Sequence, residues 1–90
     1  MTKIATTISV YGKVQGVGYR YHTSKKANEL NISGFVKNKP DGSVYIEAQG
    51  DKTDLTTFID WCKVGPSWSR VIKTETQTIP LFNAIGFQIK

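Results

Sequence analysis

The sequence predicts an α+β sandwich: two helices on one face of a mainly antiparallel sheet of four to five strands. Three observations point there. Apolar residues alternate with period two over residues 4–14 and 43–49, as in strands with one face on a core. They recur at helical spacing over residues 19–30 and 52–64. Between and after these stretches lie Gly/Pro/Asn/Asp clusters that read as turns.

In chain order, Ile4, Thr6, Ile8, Val10, Gly12 and Val14 share one face of a β-branched first strand. A glycine-rich connection leads into a helix from Tyr19 to Leu30, with Tyr19, Thr23, Ala27 and Leu30 on one stripe. Asn31 is suited to end it in the left-handed conformation. Ile32–Lys39 reads as the second strand. Pro40-Asp41-Gly42 then forms a turn: proline presets φ, aspartate bonds local backbone and glycine accepts positive φ. Ser43–Gln49 returns as the third strand, with Val44, Ile46 and Ala48 on one face. Gly50-Asp51 is expected to break it. Asp51 caps a second helix, Lys52–Val64, on which Leu55, Phe58, Ile59 and Cys62 form an i, i+3, i+4, i+7 stripe. Gly65-Pro66 ends that helix. Trp68–Gln77 is the fourth strand, anchored by Val71 and Ile72. Residues 79–86 form a loop and Phe87–Lys90 a last short strand. The order β-α-β-β-α-β, plus a terminal strand, is the split-βαβ or ferredoxin-like arrangement.

Ninety residues make one domain, 1–90. No apolar run approaches the roughly 20 residues of a membrane span, and the first residues lack a signal-peptide core. Cys62 is the only cysteine, so no internal disulfide forms; these features together predict a cytoplasmic protein. The formal charge is +5. The lysines are scattered, without a block of like charge, so a solvated, mildly anion-attracting surface is expected. Lys13, Lys37 and Lys39 flank the two stretches of chemical interest.

The first of these is Gly12-Lys13-Val14-Gln15-Gly16-Val17-Gly18-Tyr19-Arg20. Glycines between a strand and a helix let backbone N–H groups converge. The helix N-terminus adds unpaired donors and the positive end of its dipole, and Arg20 adds a planar fork for an oxyanion. The spacing fits neither a Walker A loop nor a dinucleotide fingerprint. In isolation it serves equally as a tight connection with a surface arginine. The full string, however, resembles the phosphate-binding signature of the acylphosphatase family. That family's second signature, aromatic-Val-x-Asn-x-x-Asp-Gly-x-Val, is matched by Phe35-Val36-Lys37-Asn38-Lys39-Pro40-Asp41-Gly42-Ser43-Val44. The resemblance covers nearly the whole chain. Phe35 stands where tryptophan or tyrosine is frequent, and Tyr45 where glutamate is frequent.

The resemblance implies hydrolysis of a carboxylic–phosphoric anhydride to a carboxylate and inorganic phosphate. It implies that Arg20 and the backbone of Gln15, Gly16, Val17, Gly18 and Tyr19 hold the phosphoryl group, and that Asn38 orients the attacking water. Read from the residues alone, Asn38 is turn chemistry. No metal or other cofactor is expected; His22, Cys62 and the carboxylates show no ligand spacing. The expected partner is a small-molecule acyl phosphate, with no specific nucleic acid, no membrane and a monomeric state. His22 is expected to point into solvent or against a neighbour, Cys62 to sit in the core, Trp61 and Trp68 to pack, and Asp41 to shape the turn. The alternative is an RNA-binding ferredoxin-like module, since the chain is basic; Ser33-Gly34-Phe35-Val36 is only a partial echo of the required aromatic motif. A third reading is non-catalytic binding of acyl or carbamoyl phosphate, as when such domains occur inside larger maturation proteins.

Overall fold

Alternation along the first strand becomes burial: Ile8 and Val10 are fully buried, while Lys3 and Lys13 at the ends are exposed. A computed structural model describes residues 2–90. The elements are β1 (Lys3–Lys13), α1 (Tyr19–Glu29), β2 (Ser33–Asn38), β3 (Val44–Asp51), α2 (Lys52–Cys62), β4 (Arg70–Ile79) and β5 (Phe87–Ile89). The strands make one sheet in the order β4-β1-β3-β2-β5. Every pairing is antiparallel except β2 with β5, which is parallel.

Helix α2 lies against β1 and β3, α1 lies against β2 and β5, and the helices touch each other. The core between them joins Ile8, Val10, Val36, Val44 and Ile46 to Tyr19, Ala27, Leu55, Phe58 and Cys62. Burying one large apolar side chain of this kind is worth about 1.5–3 kcal/mol. The predicted stripe of α1 is the buried one, with Leu30 at its margin. Asn31 adopts φ 56°, and Ile32 N–H donates to Ala27 O at 2.8 Å, closing the helix. The Asp51 carboxylate accepts from Thr53 N–H at 3.1 Å, the expected cap of α2. In the turn after β2, Asp41 accepts from the Ser43 amide (2.9 Å) and hydroxyl.

Several expectations are corrected. Strand β3 does not break at Gly50-Asp51. It runs through both, because they pair with Ile4 and Lys3 on β1. Helix α2 stops at Cys62, and Val64 is exposed. Strand β4 is shifted to Arg70–Ile79. Of its two expected anchors, Val71 packs on the core but Ile72 is 77% exposed; Trp68, expected to pack, is 80% exposed. The reason is position: Ile72 lies on β4, an edge strand with no helix packed on it, and Trp68 lies in the turn before that strand. Trp61 does pack, with its ring 5.8 Å from that of Tyr19.

Candidate active site

Between β1 and α1 the chain turns through residues 14–18, with Gly16 at φ 74° and Gly18 at φ 77°. Gly18 caps α1 in the left-handed conformation without any side-chain hydrogen bond. The next residue, Tyr19, is the buried footing of this turn. Its hydroxyl donates to Cys62 O at 2.7 Å, and Thr23 Oγ1 donates to Tyr19 O at 2.7 Å. Burial raises the Tyr19 phenol well above its ordinary range and pushes the Cys62 thiol up to about 12. Both therefore stay neutral near pH 7, and Cys62 is a packing residue, not a nucleophile.

With its base fixed, the turn presents its upper side to a cleft of about 270 Å³ lined by Val14, Gly16, Gly18, Tyr19, Arg20, Tyr21, Asn38 and Ile89. Arg20 is the only charged residue among them. Its Nη1 donates to the Lys90 backbone oxygen at 3.0 Å. No carboxylate of the described residues pairs with Arg20. Among those residues, the amides of residues 15–20 donate to no protein acceptor; the first to do so is His22 N–H, to Gly18 O at 3.0 Å. Free amides, a helix N-terminus and one guanidinium without an Asp or Glu partner make the cleft a positive, donor-rich pocket.

Asn38, the last residue of β2, enters the same cleft from the sheet. Its Oδ1 is buried and has no hydrogen-bond partner. An acceptor held this way is unusual in a folded protein and calls for a reason. The turn chemistry that Asn38 alone suggested is supplied by Asp41 instead.

Of the predicted loop residues, Gly16, Gly18, Tyr19 and Arg20 line the cleft. Val17 packs on the core. Gln15 turns toward the β2–β3 hairpin, where its Nε2 donates to Lys39 O and Ser43 O, both at 2.8 Å. Both partners are acceptors, so the orientation of the amide is fixed by chemistry. The loop is thereby tied to the residue next to Asn38, a side-chain role that the sequence does not announce. Ile89 and the Lys90 oxygen were also missed. They lie about seventy positions from Arg20 and reach it only through the β2–β5 pairing. His22 is exposed, edge-on to Tyr21 at 5.2 Å, and does not line the cleft. No three of His, Cys, Asp and Glu gather into a metal-binding group among the described residues. No helix among them is long and apolar enough to cross a membrane.

Comparison with known proteins gives concordant findings. The family model described as Acylphosphatase matches residues 6–89. An acylphosphatase of Leuconostoc mesenteroides is 45% identical over 87 residues, 96% of this chain and 97% of that one. One from Mannheimia succiniciproducens is 53% identical over 66 residues, 73% of each chain. The crystal structure of the Bacillus subtilis acylphosphatase superposes with a TM-score of 0.94 at 34% identity, covering 97% of this chain and 98% of that one.

Proposed function

The chain belongs to the acylphosphatase family and is a hydrolase of acyl phosphates, and we propose that the Arg20 cleft is where it does this chemistry. Arg20 and the backbone amides of Gln15, Gly16, Val17, Gly18, Tyr19 and Arg20 hold the phosphoryl oxygens. Asn38 Oδ1 accepts a hydrogen bond from the attacking water and turns its lone pair toward phosphorus. The water oxygen forms a bond to phosphorus as the bond to the acyl oxygen breaks. That bond's electron pair leaves with the carboxylate, and the water's protons pass to phosphate and solvent.

So small a site suffices because phosphoryl transfer needs positioning and charge stabilisation more than covalent chemistry. A carboxylate is already a good leaving group. Each preorganised donor of this kind is typically worth about 10²–10³ in rate. The observation that carries the reading is the joint presence, in one cleft, of an arginine with no Asp or Glu partner, free loop amides and a buried acceptor without a partner. Gln15 sets the separation of the two halves through its bonds to the hairpin.

The chain works as one domain and as a monomer on a small-molecule substrate, with no metal and no sequence-specific nucleic acid in the reaction. A cytoplasmic setting suits its single, buried Cys62. The test is hydrolysis of benzoyl phosphate in EDTA, by wild type and Arg20→Ala, in ¹⁸O-enriched water. Turnover that persists in EDTA, carries label into phosphate and is lost in the variant is the expected result. Label in benzoate, or full activity in the variant, overturns the mechanism.

A further inference from the structure

The face of the sheet turned away from the helices carries three aromatic rings on three adjacent strands: Tyr11 on β1, Tyr45 on β3 and Phe35 on β2. The centroids of Phe35 and Tyr45 are 6.1 Å apart. Ser9 opposes Tyr45, so Tyr11 stands one diagonal step away on the same face. All three are half-buried: their bodies are fixed and part of each ring is open.

Four lysines from three separate parts of the chain converge on these rings. Lys90 Nζ lies 4.1 Å from the Phe35 centroid, and Lys73 Nζ lies 5.1 Å from that of Tyr11. Lys39 and Lys37 lie 5.5 and 5.6 Å from that of Tyr45. The three carboxylates beside them are already engaged: Tyr45 donates to Glu47, Glu75 takes both the Tyr11 hydroxyl and the Lys73 ammonium, and Asp41 accepts from Ser43. Cation–π contact parks each ammonium at the level of a ring. A flat base arriving on the ring would release that ammonium to the phosphate that follows.

We infer that this outer face binds single-stranded nucleic acid without regard to sequence, bases stacking on Phe35, Tyr45 and Tyr11 and phosphates meeting the four lysines. Charge and aromatic surface together favour this partner, since base–ring stacking is indifferent to base identity and lysines supply the backbone term. The ring spacing favours a single strand. It exceeds the roughly 3.4 Å step of a stacked strand, so each ring takes one splayed base, which a duplex does not offer. A second cleft, of about 580 Å³, continues the platform from Phe35 and Lys90 beneath residues 82–86 and receives the next nucleotide. This face shares no side chain with the Arg20 cleft, so the inference stands apart from the proposed mechanism.

Fluorescence anisotropy of a labelled oligo(U) of ~10 nucleotides tests it. Binding at low salt is expected, with a log–log salt slope of about −2 to −3 for three or four phosphate contacts. Phe35→Leu and Tyr45→Leu are each expected to weaken it about fivefold or more, and Lys37→Ala to flatten the slope by about 0.7. Benzoyl phosphate turnover and melting temperature of these variants report that they are folded. The inference is overturned by any of four outcomes: no binding at about 50 mM salt; leucine variants that are folded yet bind like wild type; displacement of the oligonucleotide by poly-glutamate at equal charge; or competitive inhibition of hydrolysis by the oligonucleotide, which would put it in the Arg20 cleft.

Discussion

Gln49 and Asn38 carry the same carboxamide head on neighbouring strands, yet their surroundings treat it in opposite ways. At the base of the sheet Gln49 is buried and fully used. Its Nε2 donates to Phe82 O at 2.6 Å and its Oε1 accepts from Phe82 N–H at 3.1 Å, so one side chain mimics a strand partner and pins the loop before β5. At the opposite end of the hairpin, Asn38 Oδ1 is buried beside Arg20 with nothing to accept from. Leaving such a group unpaired costs about 1–3 kcal/mol. The contrast separates a carboxamide that holds the fold from one that the fold holds ready.

The largest test of that contrast is Asn38→Ala. Turnover is expected to fall about 10²–10³-fold, while the melting temperature holds or rises, since the change deletes an unsatisfied acceptor. A drop in melting temperature with turnover intact would place Asn38 in the Gln49 class. Gln49→Leu should do the reverse. Urea unfolding is expected to show a loss of about 1–3 kcal/mol, because the Phe82 amide and carbonyl lose their partner, and the kcat of the folded protein should stay at the wild-type level.

Gln15 lies between the two classes, holding structure for the sake of the site. Gln15→Ala is expected to lower kcat about tenfold by misplacing Asn38 against the loop, with inhibition by inorganic phosphate little changed. In combination with Asn38→Ala it should add almost nothing, since the two act through one water; additive losses would show that Gln15 acts elsewhere. The smallest effect is acidic. Hydrogen bonds from the Ser43 hydroxyl and amide hold the Asp41 carboxyl below its ordinary 3.8. Its contribution is therefore present above that value and fades as pH falls through the lower, folded one. Asp41→Asn keeps the turn without the titration, so its stability below about pH 4 should vary less with pH than that of wild type. Superimposable acid unfolding curves would remove Asp41 from the account.

Much of the fold was legible because its signals are local. Period-two alternation placed β1 and the hairpin, a 3.6-residue stripe placed both helices, and Asn31, Asp41 and Asp51 marked a stop, a turn and a cap that the structure repeats. The boundaries that failed were those decided by a distant partner. Gly50 and Asp51 look like a break until β1 pairs with them, Ile72 looks like a packing residue until β4 proves to be the edge, and Trp68 looks like one until it falls in the turn before β4. In the site, the glycines and Arg20 were visible as a cradle for an anion, and the two long motifs carried the family.

The sequence by itself determined the order of elements, the donor-rich turn before α1 and the acyl phosphate chemistry that its motifs imply. Only the tertiary structure set Arg20 against the Lys90 oxygen, left Asn38 Oδ1 without a partner, sent the Gln15 side chain into the hairpin and gathered Lys37, Lys39, Lys73 and Lys90 around three rings. The physical reason is range. Periodicity and turn chemistry act between residues a few positions apart, whereas strand order joins residues tens of positions apart, and which side chains then face one another is a property of the assembled sheet.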